Sequence, residues 1–220
     1  MRTPVLQLVF STFLLAGACG SEEDDGLSAW IDNTYLLEIP RQNWAEPRMI
    51  GSEIGDFVPQ FLIGVEAGMG QGVDVLITTA VGGVQDMCTP TAVVPASAAF
   101  PGIAIGPIPF DVHIKHINED IQVTSTIHDF TLTDILPESG GEGELLATTD
   151  ARELYPLFTL LGNPSPEAVC NELGEYNASC QPCPDDGEAY CLTIKAARLE
   201  AAAFGAAIAP VTNPDPSCNQ

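Results

Sequence analysis

The stretch IPFDVHIK, residues 108–115, decides the fold of this chain. Its apolar residues occupy every second position, which is typical of a β-strand with one apolar and one polar face. The stretch IQVTSTI, residues 121–127, alternates in the same way, and an antiparallel pairing that places Phe110 opposite Ile127 keeps one apolar face. After His128 the alternation changes parity, which indicates either a β-bulge or a strand that changes sheet. The two stretches predict an antiparallel strand pair.

Other segments predict further strands. Residues 73–81 alternate with period two, residues 34–39 are rich in β-branched and aromatic residues, and residues 190–197 carry a further apolar alternation. Residues 50–66 are ambiguous between a short helix and two strands, and Pro59 argues against one continuous helix. The chain is therefore predicted to be mainly β.

Two short helices are predicted in the last third of the chain. Residues 150–161 carry apolar side chains at helical spacing, with Pro156 as a break or kink. Ser165 is a helix N-cap and Pro166 suits a first helical position, so a second helix begins there. The expected fold is an antiparallel sheet, forming a curved half-barrel or a sandwich, with two short helices and a disulfide-rich segment near the C-terminus.

The charge balance excludes some classes of partner. The 220 residues include 30 Asp and Glu but only 7 Lys and Arg, which gives a net charge of -23. A field of this sign repels phosphates, so we expect neither nucleic acid nor anionic lipid headgroups as direct partners. Beyond residue 20 no apolar run approaches the ~20 residues that a transmembrane helix needs.

The first residues have the pattern of an export signal. Arg2 precedes a short apolar core that ends in Leu15-Ala16-Gly17-Ala18-Cys19. The chain is expected to divide into a signal peptide (1–18), an acidic lipid-anchored tether (19–29), a single β-rich domain (30–208) and a Pro-rich tail (209–220).

The motif that ends at Cys19 resembles the lipobox of bacterial lipoproteins, which implies that Cys19 is diacylated and anchors the chain to a membrane. Gly20 stands where an Asp causes inner-membrane retention in such lipoproteins, so the resemblance implies the outer membrane, on its periplasmic or surface face. Ala16-Gly17-Ala18 also fits ordinary signal peptidase, which leaves a soluble secreted protein as the alternative. Together with the cysteines between residues 170 and 192, the motif resembles uncharacterised Cys-rich envelope lipoproteins without known activity.

The cysteines predict disulfides. Setting Cys19 aside leaves six of the seven, enough for three bridges in an oxidising compartment. The four clustered cysteines are expected to bridge among themselves, in one of three arrangements, which leaves Cys88 to pair with Cys218. The Cys180-Gln-Pro-Cys183 spacing also suits a redox pair or half a zinc site. The clustered cysteines are Cys170, Cys180, Cys183 and Cys191.

The polar face of the predicted strand pair is a candidate metal site. Asp111, His113 and His128 share the polar face of the predicted strand pair, within reach of a bridging ion. Their neighbours are Lys115, Thr124 and Gln122, a mixture typical of a solvated sheet face. We therefore predict no metal or catalytic site there. The acidic loop 185–188 is interpreted as a solvated turn, with calcium binding as the alternative.

No complete catalytic motif occurs, neither G-x-S-x-G nor H-E-x-x-H, and no cofactor is expected. The leading hypothesis is a non-enzymatic structural or binding protein of the cell envelope, with an unknown protein partner. The alternative is a carrier of an apolar ligand or lipid in a half-barrel closed by the helices, which requires an apolar interior above ~300 Å³. A hydrolase or metalloenzyme is a third option.

Overall fold

The computed structural model describes residues 30–47, 59–68, 73–99, 102–115, 121–135, 143–159, 162, 164–175 and 178–219. Within these residues the chain is mainly antiparallel β, as predicted. The strands are β1 (Thr34–Glu38), β2 (Trp44–Glu46), β3 (Gln60–Ala67), β4 (Val73–Val81), β5 (Val84–Gln85), β6 (Ala92–Ala99), β7 (Gly102–Lys115), β8 (Gln122–Ile135), β9 (Gly143–Asp150) and β10 (Cys191–Ala203). The helices are α1 (Ala151–Phe158) and α2 (Pro166–Glu175), and short 3-10 turns occupy Arg41–Asn43 and Pro216–Asn219.

The strands form a curved half-barrel in the order β1-β3-β4-β6-β7-β8-β9-β10-β2. The long strand β10 pairs with strands from both ends of this order. Its first part pairs with β9, from Cys191 opposite Asp150, and its last part pairs with β1, where Ala203 lies opposite Tyr35. The short strand β2 also pairs with β10, so the segment after β1 is held against the same strand.

The register of the central pair follows the prediction. Phe110 lies opposite Ile127 and Asp111 opposite Thr126, and the pairing shifts after His128, as the change in parity indicated. A further irregularity in β7 lies at Gly106, which has a φ of +91°. A Cβ there would overlap the carbonyl oxygen of Phe130, so this close approach of β7 and β8 requires glycine.

The inner face of the half-barrel holds the main apolar core. Three aromatic rings pack at its centre, with centroids 4.8 Å apart for Phe110 and Phe130 and 5.2 Å apart for Phe61 and Phe130. Helix α1 closes this core with the buried side chains of Leu154, Leu157 and Phe158. These aromatic contacts and the apolar burial are the dominant favourable terms in the packing of this face.

Both helices begin at an N-cap side chain, and Ser165 caps α2 as predicted. The Asp150 carboxylate accepts a hydrogen bond of 2.8 Å from the backbone N–H of Arg152 at the start of α1. The Ser165 hydroxyl accepts one of 3.3 Å from the Ala168 N–H at the start of α2. Pro156 lies inside α1, which ends at Phe158, before the predicted end at residue 161.

The C-terminal segment covers part of the outer face of the sheet. Ile208 packs with Leu62, Leu76 and Ala80, which alternate with the core-facing residues of β3 and β4. The backbone of Val211 exchanges hydrogen bonds with Thr91, accepting from its N–H at 2.8 Å and donating to its hydroxyl at 2.9 Å. As a consequence β4 is buried on both faces along most of its length.

The described residues contain three disulfides. One joins Cys88 to Cys218, as predicted, across a separation of 130 residues. The clustered cysteines bridge among themselves, and the structure selects Cys170–Cys180 and Cys183–Cys191 from the three arrangements. Within the described residues, no helix combines the length and apolar character needed to cross a membrane.

Candidate functional site

An apolar cavity lies between helix α1 and the inner face of the sheet. Its volume is about 70 Å³, and its surface is almost wholly hydrocarbon. Strands β7 to β10 form the floor, α1 forms one wall, and the segment around β2 forms the other. The lining residues are Ile39, Trp44, Pro47, Pro59, Phe61, Ile114, Ile127, Leu145, Ala147, Thr149, Leu154, Leu157, Phe158, Leu192 and Ile194.

The polar side chains beside the cavity are bound to one another. The Ser125 hydroxyl donates to the Glu153 carboxylate at 3.0 Å, so the Thr149 hydroxyl must be the donor in its 3.0 Å contact with Ser125. The same Glu153 oxygen accepts the backbone N–H of Thr126 at 2.7 Å. This chain of hydrogen bonds fastens α1 to β8 and satisfies the only hydroxyl group among the lining residues.

Trp44 is the exception. It is 5% exposed, lines the cavity, and is held there because β2 pairs it with Ala196 of β10. Its indole Nε1 has no hydrogen-bond partner among the residues that the structure describes. A buried N–H without an acceptor costs ~1–3 kcal/mol.

An ionic network fixes the start of α1. The Arg152 guanidinium lies 2.7 Å from the Asp186 carboxylate, binds the Asp150 carboxylate as well, and stands 5.1 Å above the ring of Tyr190. These hydrogen bonds, to Asp150 first and Asp186 second, raise the pKa of Arg152. The hydrogen bond from Arg152 is also the main reason that the pKa of Asp186 is lowered.

The same network extends to α2. The Tyr190 hydroxyl donates to the Glu167 carboxylate at 2.8 Å. This contact raises the pKa of Tyr190, whereas the pKa of Glu167 is lowered first by its own backbone N–H and then by Tyr190. Part of the acidic loop 185–188 therefore holds a helix in place, since Asp186 carries an ion pair to α1.

The polar face considered as a metal site is built differently from the expectation. His113 is only 3% exposed, and the loop after β5 contacts it through Asp86 and Thr89, so its assignment to a solvated face is wrong. Its Nδ1 lies 2.7 Å from the Asp86 carboxylate, and its backbone N–H donates to Thr89. Asp111 stays exposed and accepts from the Thr126 hydroxyl at 2.8 Å.

The structure does not gather the three candidate ligands. Within the described residues, the groups whose ligand atoms lie within 4.8 Å of one another include neither Asp111 nor His128. Each of these groups contains Cys88 or Cys183, and both cysteines are in disulfides. A disulfide sulfur is not the thiolate that metals prefer.

The redox and zinc interpretations of Cys180 and Cys183 are also wrong. The two cysteines are not bonded to each other, as a C-x-x-C redox pair would be, because each forms a disulfide with a different cysteine. Their role is structural. The bridges tie α2 and the loop after it to the start of β10.

Two residues that the sequence did not single out help to form the cavity and the surroundings of His113. Trp44 depends on the pairing of β2 with β10, and Asp86 depends on a loop that folds back over β7. Neither residue belongs to a motif.

Compared with protein-family models, curated proteins and solved structures, the chain matches none.

Proposed function

We propose that this chain is a lipid-anchored binding protein of the cell envelope that acts without catalysis. The distribution of its cysteines carries the proposal. The six cysteines of the described residues are all paired, and the seventh, Cys19, precedes the first described residue. Three disulfides suit an oxidising compartment outside the cytoplasm. Cys19 is then free for acylation.

The anchor would hold the chain by its lipid alone. Two or more acyl chains, at ~0.8 kcal/mol for each buried CH₂, give stable attachment without a transmembrane helix. Gly20 directs the anchored chain to the outer membrane rather than the inner one. The acidic residues between Gly20 and Trp30 would keep the domain away from anionic headgroups.

The polar groups beside the cavity support a binding role over catalysis. The Ser125 hydroxyl and the Glu153 carboxylate are bound to each other and to β8, so neither is poised toward the apolar interior. The cavity offers apolar surface, which serves to hold a molecule rather than to transform it.

Replacement of the acylated residue tests the anchor. The Cys19→Ala variant should move the chain from the membrane fraction to the soluble fraction and abolish incorporation of radiolabelled palmitate. Ser21→Ala, two residues further on, is the matched control and should behave like the native chain. Membrane association that persists in Cys19→Ala would contradict the anchored reading.

The second candidate function is a carrier of an apolar ligand, and the cavity is the observation that favours it. Its volume of about 70 Å³ is well below the ~300 Å³ expected of a site that encloses a whole lipid. Carriage of a lipid inside the half-barrel is therefore disfavoured. The supported form of this candidate is the binding of a small apolar molecule.

A further inference from the structure

Side chains of the types that bind metals meet at one point from three separate segments. His113 lies in β7, Asp86 and Cys88 follow β5, and Cys218 lies in the C-terminal 3-10 turn. A ring nitrogen of His113, a carboxylate oxygen of Asp86 and the sulfur of Cys88 lie within 4.8 Å of one another. The sulfur of Cys218 is bonded to that of Cys88. We propose that these four residues bind one Zn²⁺ ion when the bridge between the two cysteines is reduced.

Reduction converts the bridge into two metal ligands. Exchange with a dithiol cleaves the S–S bond of the chain, forms an S–S bond in the reductant and leaves two thiols on the chain. Zn²⁺ then displaces both thiol protons and bonds to the two thiolates. Two thiolates, an imidazole and a carboxylate are four donors of the kinds found in tetrahedral zinc sites. The oxidised chain has no thiolate here, so the bridge and the ion exclude each other.

Hydrogen bonds that do not involve the bridge hold Asp86 and Cys88 beside His113. The Asp86 N–H donates to the Thr79 carbonyl at 2.8 Å, and the Asp86 carboxylate accepts the Cys88 N–H at 2.8 Å. Its second oxygen lies 2.7 Å from Nδ1 of His113. The Thr89 hydroxyl accepts the His113 N–H at 3.0 Å and lies 2.6 Å from the Thr79 hydroxyl. Three of the four donors are therefore in place before the ion binds, which lowers the cost of ordering them.

Burial and charge favour a cation at this position. His113 is 3% exposed and Cys218 is 6% exposed, so negative ligands here need a positive partner close by. The net charge of -23 adds long-range attraction of cations. Cys218 lies in a turn outside the sheet, where its sulfur can move to the Zn–S distance of ~2.3 Å.

A redox titration of the native chain tests the proposal with Zn²⁺ itself as the probe. The purified chain is equilibrated with mixtures of reduced and oxidised dithiothreitol, with and without about 10 µM free Zn²⁺ set by a chelator. Alkylation and peptide mass spectrometry then measure the reduced fraction of each bridge separately. The bridges Cys170–Cys180 and Cys183–Cys191 are internal controls, because they report any effect of zinc on the reductant.

We expect zinc to favour the reduced form of the Cys88–Cys218 bridge alone. Structural zinc sites bind with Kd below about 0.1 µM. An ion that binds only the reduced chain, at about 100 times its Kd, should raise the ratio of reduced to oxidised bridge about 100-fold. The other two bridges should keep their ratios.

Three variants assign the ligands, and the amide spectrum of each oxidised variant checks its fold. His113→Gln removes the imidazole and should lower the effect of zinc to below about tenfold. Asp86→Asn keeps the shape of the side chain and removes its charge, so it should weaken the effect about tenfold or more. His128→Gln is the matched control. It replaces a histidine that belongs to none of the described groups close enough to share an ion, and it should keep the full effect.

Each remaining outcome would overturn the proposal. If zinc leaves the Cys88–Cys218 ratio of the native chain unchanged, the four residues do not form a site. If all three bridges shift by the same factor, zinc acts on thiols in general or on the reductant. If His113→Gln and Asp86→Asn both keep the full effect, the two thiolates bind zinc without the residues beside them.

Discussion

Helix α1 and the C-terminal segment 204–218 cover opposite faces of one sheet by different means. The helix closes the inner face with a stripe of large apolar side chains. The C-terminal segment buries mainly Ile208 and Val211, and is otherwise held by backbone hydrogen bonds and by the disulfide from Cys218 to Cys88. The helix therefore relies mainly on apolar packing, and the C-terminal segment mainly on hydrogen bonds and a covalent bond.

This difference has a structural consequence. An apolar helix must match the shape of the sheet below it, and where α1 does not, a cavity of about 70 Å³ remains. The C-terminal segment lies flat and is fixed by specific pairs, such as the reciprocal hydrogen bonds of 2.7 Å and 2.8 Å between Gln85 and the backbone of Ala209. Space for a ligand therefore occurs on the side that depends on packing.

The covalent cover should respond most strongly to mutation. Replacing both Cys88 and Cys218 by Ala frees a loop with a separation of 130 residues. The chain-entropy relation predicts a loss of about 5 kcal/mol in the free energy of unfolding. Denaturation in urea measures it, and amide exchange at Val211 should become fast because the segment is released.

The shorter bridge gives the matched control. Cys170 and Cys180 are separated by 10 residues, so their double replacement by Ala should cost about 3 kcal/mol and leave the exchange at Val211 slow. If the two double variants lose the same stability, loop length does not govern the contribution of these bridges.

The packed cover should lose stability through single side chains. Leu157→Ala removes a buried side chain of α1 and should cost about 3 kcal/mol, since the space that it leaves adjoins a cavity and does not collapse. Val211→Ala on the other face should cost about 1 kcal/mol, because backbone bonds and the disulfide hold that segment in place. Urea denaturation of both variants checks the ratio. A larger loss for Val211→Ala would show that packing dominates on both faces.

Helix α1 could be predicted from the sequence, whereas the docking of the C-terminal segment could not. The apolar stripe of α1 can be predicted because it recurs at helical spacing, and the strand at residues 108–115 can be predicted because its apolar side chains alternate with a period of two. The C-terminal segment has no such periodicity. Its docking depends on pairs far apart in the chain, such as Gln85 with Ala209, which a single sequence does not reveal.

The candidate sites show the same limit. The alternation of β7 predicts that His113 lies on the outward face, which is correct. The sequence does not reveal the loop that covers this face, so the burial of His113 and its contact with Asp86 could not be predicted. For the cavity, the sequence predicts only an apolar interior under the helices. The part that Trp44 plays in lining it could not be predicted, because the position of Trp44 is set by the pairing of a three-residue strand with β10.

Filling the cavity beside α1 should increase the free energy of unfolding. Ala147→Leu adds three carbon atoms at a buried position that borders the cavity, and their volume is close to the space present. The free energy of unfolding should rise by about 1 kcal/mol, as cavity-filling substitutions commonly produce. Ala201→Leu, at a buried position of β10 that does not border the cavity, should be destabilising, since overpacking strains a filled core. Urea denaturation distinguishes them, and a loss in Ala147→Leu would indicate that the cavity cannot accept a branched side chain.

The smallest effect is expected at the ionic contact that fastens the start of α1. Asp186 has a pKa below its ordinary value of 3.8, first because Arg152 donates to its carboxylate. A depressed pKa means that the contact stabilises the fold above about pH 3.8 and is lost as the pH falls through the lower value of the folded state. Arg152 and Asp186 are both partly exposed, so solvent screening keeps the gain small.

Arg152→Met should therefore raise the pKa of Asp186 toward 3.8 and reduce stability at neutral pH, with the deficit shrinking in acid. The carboxyl ¹³C shift of Asp186, followed across the acidic range, measures the pKa. Asp215 is the internal control, because its pKa is lowered by Ser217 and should not change in the variant. An unchanged pKa at Asp186 would mean that the backbone N–H of Glu188 holds the carboxylate without Arg152.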